Sequence, residues 1–408
     1  MAATGVPHFP QSMGHSSIST FKVNASSDTG GPVITDLDND SDYEVISTTA
    51  DGLLAIIDNR STWMISDDST KFSNQTQIVP YLRYLDGESG LLLGVSENGT
   101  LLKIKPTIMN NRNDSGMSKF AFEVIKTNFT NLLTDGRIIV DSIDNNTVNS
   151  LSGEVFILTH PVDSYPHGAL ADILEPTKLL LLEQCHDNDS KTDSDFCLKQ
   201  MLKLPEWMEV FETIKPVIIE YANGTISSKG VALVASSTDV GSAAYVYNYT
   251  SSIVFSSKPI GQGFRWLLVL GSLMVNNNQS MLVINETPHL SGIVKFIDII
   301  NNKTLSREGF SAHDYGSRNV GMYAISDVDK NGQDDLIIPT LNKKKIAILS
   351  IFENNDDTIY VNGNLGLSDK ISSIIITLDI NYDGYVDIIA GDRSGNLHIF
   401  TSQVKYKN

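Results

Sequence analysis

The most informative stretch is DINYDGYVDIIAGDRSGNLHIF, which runs from Asp379 to Phe400. Its first nine residues carry oxygen-bearing side chains at positions one, three, five and nine, and Gly384 stands at position six. An apolar run follows at once. Alternate residues of a tight turn point to one side, so these oxygens converge, and carboxylates so close repel one another unless a cation lies between them. The stretch therefore predicts a cation-binding turn between two strands.

The predicted cation is Ca²⁺, because this hard ion takes roughly six to eight oxygen ligands. In this turn the predicted ligands are the side chains of Asp379, Asn381, Asp383 and Asp387, with the backbone carbonyl of Tyr385 at position seven. No EF-hand is predicted, since position twelve is Ala390 instead of a bidentate glutamate and strand-like sequence flanks the turn.

Two further stretches repeat the spacing. DVDKNGQDD predicts a second site, whose ligands are Asp327, Asp329, Asn331, Asp335 and the carbonyl of Gln333. DLDNDSDYE predicts a third, less regular site, with Asp36, Asp38, Asp40, Asp42 and Glu44 at the odd positions and Ser41 in place of the glycine. The alternative for each turn is an acidic, solvated loop without an ion. Three copies at the same place in a strand–turn–strand unit favour the cation sites.

The turns belong to a longer repeat of short apolar runs separated by Gly, Asn, Asp and Ser clusters. Its clearest copies begin at Val33, Ile325 and Ile374, and degenerate copies surround turn anchors near residues 86, 173, 221 and 274. A period of about 50 residues with four strands per unit is typical of β-propellers. The sequence predicts an all-β, seven-bladed propeller of four-stranded antiparallel blades. One wide gap before the third anchor contains either outer strands of the third unit or an eighth unit.

The last unit contains only three predicted strands, Ile374 to Thr377, Val386 to Ala390 and Leu397 to Thr401. The stretch SISTFKV (Ser17 to Val23) has strand character and is predicted to supply the missing outer strand, which closes the ring and removes an exposed edge. The predicted organisation is a tail over residues 1–16, one propeller over 17–402 and a tail over 403–408. A short helical segment is predicted within an inserted loop around 185–214, from the spacing of Leu198, Met201, Leu202 and Leu204.

The unit resembles the FG-GAP repeat, also described with the VCBS repeat, of integrin α-subunits and integrin-α-like proteins. The resemblance rests on Asp-x-Asp/Asn-x-Asp/Asn-Gly-x-x-Asp followed by an apolar strand. It also rests on IIAGD (Ile388 to Asp392) and NLHIF (Asn396 to Phe400), which resemble the family's Gly-Ala-Pro corner and its next strand. The motif covers three units. The resemblance implies structural calcium on one face of a seven-bladed propeller and a role in cell adhesion.

The composition of the chain limits the classes of partner that it can bind. The chain has 408 residues and a net charge of −18, which argues against nucleic acid and anionic membranes because both attract basic surfaces. No apolar run reaches the roughly 18 residues of a membrane span, and the start lacks the charged and apolar regions of a signal peptide. A membrane anchor outside this chain stays open.

Two features favour the secretory pathway over the cytoplasm. Cys185 and Cys197 flank a polar loop that they would close as a disulfide in an oxidising compartment, whereas both stay thiols in the cytosol. Asn-x-Ser/Thr triplets predict N-glycosylation at Asn24, Asn59, Asn74, Asn98, Asn113, Asn128, Asn145, Asn188, Asn223, Asn248, Asn278, Asn285 and Asn302. The alternative is a composition rich in Asn and Ser that produces such triplets without glycans.

No sequence motif of catalysis, phosphate binding or dinucleotide binding is found. The loop stretches GQGFRW and GFSAHDYGSRNVG contribute candidate partner-binding residues, namely Arg265, Trp266, His313, Asp314 and Arg318. The alternative is a packing role, with Asp314 paired to Arg318 and His313 capping a turn. We therefore predict a non-enzymatic, calcium-stabilised propeller that binds a protein partner outside the cell, at its surface or in a secretory lumen. A propeller-type lyase or glycosidase and an intracellular scaffold are the alternatives.

Overall fold

A computed structural model describes residues 33–35, 44–48, 54–57, 63–65, 83–84, 92–109, 119–142, 153–171, 173–185, 196–223, 226–276, 279–351, 358–381 and 383–401. These residues form 28 strands and contain no helix. The all-β prediction is therefore confirmed for this part of the chain. In the same residues, no helix is long and apolar enough to cross a membrane.

The chain divides into two compact units. The carboxy-terminal unit comprises Met1–Pro7, Asp163–Glu175 and Leu204–Asn408, and the amino-terminal unit comprises His8–Val162 and Pro176–Lys203. The single propeller over residues 17–402 stays a prediction, as do the two tails.

The amino-terminal unit holds three antiparallel sheets of four strands, each in chain order. The first sheet is β1 (Val33–Thr35), β2 (Glu44–Thr48), β3 (Leu54–Ile57) and β4 (Trp63–Ile65). The second is β5 (Arg83–Tyr84), β6 (Leu92–Val95), β7 (Leu101–Met109) and β8 (Lys119–Lys126). The third is β9 (Ile139–Ser142), β10 (Gly153–Val162), β11 (Glu175–Gln184) and β12 (Phe196–Lys203).

The carboxy-terminal unit begins with a nine-stranded sheet made of two runs of four strands plus β13 (Val210–Phe211). One run is β14 (Val217–Asn223), β15 (Ile226–Ser237), β16 (Gly241–Tyr247) and β17 (Ile253–Ser256). The other is β18 (Leu267–Asn276), β19 (Gln279–Glu286), β20 (Ile293–Asp298) and β21 (Lys303–Arg307). The pairing of Asn223 with Gln279 joins β14 to β19.

Two smaller sheets complete this unit. One has four strands, β22 (Ala324–Ser326), β23 (Asp335–Pro339), β24 (Lys345–Ile351) and β25 (Ile359–Gly366). The other has three described strands, β26 (Ile371–Leu378), β27 (Asp387–Asp392) and β28 (Leu397–Phe400). The three strands of the last unit are thus where the sequence predicts them. The fourth, predicted from Ser17 to Val23, lies outside the described residues.

Apolar side chains between successive sheets form the core. One buried cluster joins the last two sheets and includes Ile337, Ile346, Ile375, Ile388 and Phe400. β-Branched residues dominate it, as expected for strands covered on both faces. All five residues of β23 and most residues of β27 are buried, so the apolar run that follows each of the two described acidic turns is a central strand anchored in the core.

Two predictions about the middle of the chain are wrong. Residues 196–203 form β12 instead of a helix, because pairing with β11 from Lys178↔Lys203 to Gln184↔Phe196 overrides the loose local spacing. The third turn anchor, near residue 173, is misplaced, since β10 and β11 flank it. The first two strands of that sheet are β9 and β10, so the stretch before the anchor contains strands of the third unit, which is one of its two predicted readings.

The disulfide prediction is confirmed. Cys185 and Cys197 are bonded, with their Cα atoms 5.1 Å apart. The bond joins the residue after β11 to the second residue of β12, so it cross-links the last two strands of the third sheet.

Candidate functional site

Two of the predicted acidic turns are described, and they occupy equivalent places in the last two sheets. The turn from Asp327 to Asp335 connects β22 to β23, and the turn from Asp379 to Asp387 connects β26 to β27. In each, the acid at position nine pairs in register with the last residue before the turn, as Ser326↔Asp335 and Leu378↔Asp387. The two turns therefore have the same length and the same register with the strands that flank them.

Their internal hydrogen bonds also match. The carboxylate at position one accepts the amides of positions five and six: Asp327 accepts Asn331 at 3.1 Å and Gly332 at 2.9 Å, and Asp379 accepts Asp383 at 3.1 Å and Gly384 at 2.8 Å. The glycines have φ of +85° and +83°. This left-handed conformation explains why glycine is favoured at position six.

The aspartate at position nine accepts the same hydrogen bond in both turns, through one of its carboxylate oxygens. Asp335 Oδ2 accepts the Val328 amide at 3.2 Å, and Asp387 Oδ2 accepts the Ile380 amide at 3.0 Å. The other oxygens differ. Asp335 Oδ1 accepts a hydrogen bond from Ser350 Oγ, whereas Asp387 Oδ1 is buried and has no hydrogen-bond partner among the described residues. A buried carboxylate oxygen without a partner is costly, so this one is available to a ligand.

In the first turn, three carboxylates converge. Oxygens of Asp327, Asp329 and Asp335 all lie within 4.8 Å of one another, close enough to share a cation. Burial raises the pKa of Asp335 to about 6, and the neighbouring acids add to the effect. In the second turn, position three is Asn381, so the acids stand at positions one, five and nine. Within the described residues they do not form an equivalent triplet.

Two residues at these turns are missed by the sequence reasoning. Asp334 connects the first turn to β18, because its amide donates to the Met274 carbonyl and its Oδ2 accepts the Met274 amide, both at 2.8 Å. Lys330 reaches the second turn, with Nζ 4.4 Å from the centre of the Tyr385 ring. Both contacts join residues far apart in sequence, and no local motif marks them.

The third acidic turn cannot be placed in the same way. Asp36, Asp38, Asp40 and Asp42 lie outside the described residues, and only the backbone of Glu44 is described, as the first residue of β2. The carbonyl ligands predicted at Gln333 and Tyr385 also stay predictions. Their backbone amides make the same hydrogen bond in the two turns, since each donates to the side-chain oxygen of position five at 2.8 Å.

The structure assigns packing roles to two of the predicted partner-binding residues. Trp266 is 3% exposed and its Nε1 donates to the Glu212 carbonyl at 3.0 Å. His313 is fully buried, with Nε2 donating to the Ser317 carbonyl at 2.8 Å. Neither side chain is accessible to a partner in this conformation, so the prediction of partner binding is wrong for both.

The remaining candidates have different surroundings. Asp314 forms ion pairs with Lys343 and with Arg393, the latter at 2.9 Å. Burial opposes ionisation of Asp314, but these two cations hold the pKa of its carboxyl below the usual value. Arg265 is exposed and Arg318 is half-buried, and partner binding by either stays a prediction.

A second group of polar and aromatic side chains lies in the loops that follow β10 and β19 and in the loops that precede β18 and β22. Phe264 stacks on His167 with ring centres 5.2 Å apart, His167 lies 6.3 Å from Tyr315, and Tyr315 lies 5.3 Å from His289. We call these four residues the aromatic row. Phe264 and Tyr315 are 48% and 61% exposed, so the row reaches the surface of the carboxy-terminal unit.

A buried acid lies beneath the aromatic row. His167 Nδ1 hydrogen-bonds Glu212 Oε1, and Ser236 Oγ donates to Glu212 Oε2 at 2.6 Å. Burial raises the pKa of Glu212, while both hydrogen bonds favour its carboxylate form. Tyr315 is fixed in turn, because its hydroxyl donates to the His167 carbonyl at 2.9 Å. The aromatic row is therefore held in place by buried hydrogen bonds to Glu212 and to the His167 carbonyl.

His289 and His313 form a neutral pair at one end of the row. Their Nε2 and Nδ1 atoms are 2.9 Å apart, and burial lowers the pKa of His289 to about 4 and of His313 to about 3. Because His313 Nε2 donates to Ser317, its Nδ1 accepts the proton of His289 Nε2. The sequence shows the histidines as scattered, and only the fold brings these two together.

The predicted glycosylation sites fall into three groups. Asn98, Asn128 and Asn302 are exposed, and Asn248 is half-buried. Asn285 is fully buried, accepting the Ala312 amide at 2.9 Å and donating to the Phe310 carbonyl at 3.2 Å. Its nitrogen has no room for a glycan in the folded chain, so that prediction is wrong. Asn223 ends β14, with its side chain undescribed, and the others lie outside the described residues, namely Asn24, Asn59, Asn74, Asn113, Asn145, Asn188 and Asn278.

Comparisons with known proteins show no family. No protein-family model matches the chain, and no curated protein matches it significantly. Among solved structures, BBS1N in complex with ARL6DN is 8% identical, with 95% of each chain covered and a TM-score of 0.47. Catalytically inactive virginiamycin B lyase from Staphylococcus aureus with quinupristin is 12% identical, with 92% of this chain and 96% of that chain covered and a TM-score of 0.41. At these values neither likeness assigns a function, and the resemblance to FG-GAP repeats stays a prediction from the motif.

Proposed function

We propose that this chain is a calcium-stabilised, seven-bladed β-propeller of the FG-GAP type that binds a protein partner and catalyses no reaction. The observation that carries the proposal is the pair of acidic turns with the same internal hydrogen bonds. In the second turn, Asp387 Oδ1 is buried without a hydrogen-bond partner among the described residues. Two independent stretches of sequence build the same turn from the same oxygen positions. Such duplication is expected when a turn holds an ion and is not needed for a solvated loop.

The donor set fits Ca²⁺. Every side chain that converges in these turns offers oxygen, and a hard cation of flexible coordination accepts carboxylate, amide and carbonyl oxygens together. The amide donors already bound to Asp327 and Asp379 leave lone pairs on each carboxylate oxygen. Asp327, Asp329, Asn331 and Asp335 would hold one ion, and Asp379, Asn381, Asp383 and Asp387 a second. Asp36, Asp38, Asp40 and Glu44 would form the third, less regular site.

The propeller proposal is supported by the organisation of the strands. Consecutive strands form antiparallel runs of four, and the last run has three described strands. Runs of this kind are the blades of propellers, which close into a ring so that few edges remain exposed. In the proposed ring, residues 17–23 complete the sheet of β26, β27 and β28.

The partner-binding role and the location are supported by surface chemistry. The Cys185–Cys197 disulfide is characteristic of secreted or lumenal proteins. The exposed Asn98, Asn128 and Asn302 triplets would carry glycans that shield surface not used for binding. Large exposed rings such as Trp207, which is 85% exposed, are typical anchors of protein interfaces. We therefore place the chain outside the cell, at its surface or in a secretory lumen.

The test of the calcium part is thermal unfolding with and without chelator. Because the ion binds the folded turns only, chelation is expected to lower the Tm by several degrees, and added Ca²⁺ to restore it. Asp383→Ala should remove most of the calcium response of one turn. The matched control is Asp163→Ala, an exposed acid outside both turns, which should keep the full response. A transition unmoved by chelator would overturn the calcium sites.

A further inference from the structure

Each of the strands β23 and β27 begins at an acidic turn and ends at a turn that carries cations. Backbone hydrogen bonds join both of these cationic turns to the loop between β25 and β26. The Leu367 amide donates to the Lys344 carbonyl at 3.0 Å, and the Arg393 amide donates to the Lys370 carbonyl at 2.8 Å. The three segments therefore form one surface, which we call the basic patch. Its cations are Lys343, Lys344, Lys345, Lys370 and Arg393.

The acids that contact the basic patch are already paired or hydrogen-bonded. Asp314 forms ion pairs with Lys343 and with Arg393. Asp369 and Asp392 accept hydrogen bonds from side chains of the turn that follows β27. Five cations thus face three acids here, although the chain as a whole has a net charge of −18. A local excess of positive charge in an acidic chain indicates an anionic partner.

Four of the cations are open to a partner. The exposed lysines of the basic patch are Lys344, Lys345 and Lys370. None of the three forms an ion pair with a residue that the structure describes. The side chain of Arg393 is 50% exposed, and its contact with Asp314 leaves further N–H donors of the guanidinium for a second carboxylate. Lys343 differs, because its Nζ donates to the His313 carbonyl at 2.9 Å and holds that loop.

Exposed apolar side chains lie beside the basic patch. Leu341, in the turn that follows β23, is 39% exposed, and Leu290 and Tyr315 are both 61% exposed. A Cβ added to Gly292, two residues after Leu290, would lie 3.1 Å from Leu341 Cδ1. The His289 ring, adjacent to Leu290 in the chain, lies 5.3 Å from the Tyr315 ring. Apolar side chains bordered by charged ones are typical of a protein interface.

We propose that the basic patch binds an acidic segment of the protein partner. Its carboxylates pair with Lys344, Lys370 and Arg393, and an apolar side chain of the same segment packs against Leu341. This inference rests on the proposed partner-binding role and names the surface and the chemistry of the partner. The net charge of the chain does not prevent such binding, because acids more than about 8 Å away are largely screened at physiological ionic strength. The acidic turns lie at the other ends of β23 and β27.

The probe is the capped peptide Glu-Glu-Leu-Glu-Glu with a fluorescent label, titrated with the full chain at about 0.15 M ionic strength. The matched control is Gln-Gln-Leu-Gln-Gln, which has the same shape and no charge. We expect the acidic peptide to bind, with an affinity that falls as salt is added, and the control not to bind. Failure of the acidic peptide to bind, equal binding of both peptides, or binding of a sulfated oligosaccharide in its place would overturn the proposal.

Charge variants locate the binding surface. Lys344→Glu and Lys370→Glu should each weaken binding by roughly fivefold or more, because attraction becomes repulsion. Lys126→Glu makes the same change of net charge at an exposed lysine of the amino-terminal unit, and it should bind like the parent. Leu341→Ala should weaken binding by roughly threefold to tenfold. Circular dichroism verifies the fold of each variant. Equal losses for Lys126→Glu and Lys344→Glu would show that net charge alone attracts the peptide.

Two further measurements separate this inference from the other proposals. Sedimentation of the full chain tests whether a second copy occupies the basic patch, and Lys344→Glu should leave the oligomeric state unchanged. A dimer that this variant dissociates would overturn the inference. If the acidic peptide does not bind while chelation still lowers the Tm, this inference fails and the calcium proposal stands. If chelation leaves the Tm unmoved while Lys344→Glu weakens peptide binding, the calcium proposal fails and this one stands.

Discussion

Asp387 distinguishes the second acidic turn from the first at the level of single atoms. Its Oδ1 is buried without a partner, whereas the equivalent oxygen of Asp335 accepts a hydrogen bond from Ser350. An unpaired buried carboxylate oxygen destabilises the folded state by about 1–3 kcal/mol unless a ligand takes it. The two aspartates should therefore respond to substitution differently, although the sequence makes them equivalent.

Asp387→Asn tests this difference. In chelator the variant should be as stable as the parent or more stable, because a buried unpaired charge is removed. In saturating Ca²⁺ it should be less stable, because a ligand is lost. Thermal unfolding in both conditions measures the change of sign. The control is Asp335→Ala, which should lower the Tm in both conditions because Ser350 Oγ and the Val328 amide both lose their acceptor; equal losses for Asp387→Asn in both conditions would contradict the assignment.

Sequence spacing is sufficient for the acidic turns and insufficient for the aromatic row. The turn ligands follow one another within nine residues, so alternation and a glycine mark them. The contacts of the row join residues 26 apart, as in His289 and Tyr315, or 148 apart, as in His167 and Tyr315. Only the packing of separate sheets brings such residues together. No local periodicity carries that information.

At the level of elements, strands that border an acidic turn are predicted well and the strand at residues 196–203 is not. Apolar runs between Asp and Gly clusters have few alternative conformations, and β23 and β27 lie where those runs are. In β12, Leu198, Met201 and Leu202 also suit a helix, and the register with β11 settles the conformation. An edge strand takes its conformation from its neighbour, which its own sequence does not specify.

The edge of β28 is where residues 17–23 are predicted to pair. β28 ends the three-stranded sheet among the described residues, and Leu397 is 47% exposed. If residues 17–23 pair with it, their deletion should lower the Tm by several degrees and speed amide exchange in Leu397–Phe400. Deletion of residues 1–16 alone is the matched control and should change neither quantity. Equal behaviour of the two truncations would exclude this closure.

In the carboxy-terminal unit, the acidic turns and the aromatic row lie at different ends of the strands. The acidic turns follow β22 and β26, and the aromatic row lies in the loops that follow β10 and β19 and in those that precede β18 and β22. An ion bound at the turns, as proposed, would leave the aromatic row unoccupied. Sequence reasoning finds the acidic turns and not the aromatic row, because the oxygens of a turn are local in sequence whereas the row is assembled from four separate loops.

Glycosylation tests the location of the whole molecule. Expressed through a secretory pathway, the chain should lose mass on enzymatic glycan release, and peptide mapping should identify Asn98, Asn128 and Asn302, whose side chains are exposed. Asn128→Gln should remove one glycan without altering the Tm. Asn285→Gln should leave the glycan mass unchanged and lower the Tm, because this buried amide holds Phe310 and Ala312 together. A chain that shows no mass change on glycan release would favour the intracellular alternative, in which these triplets follow from composition alone.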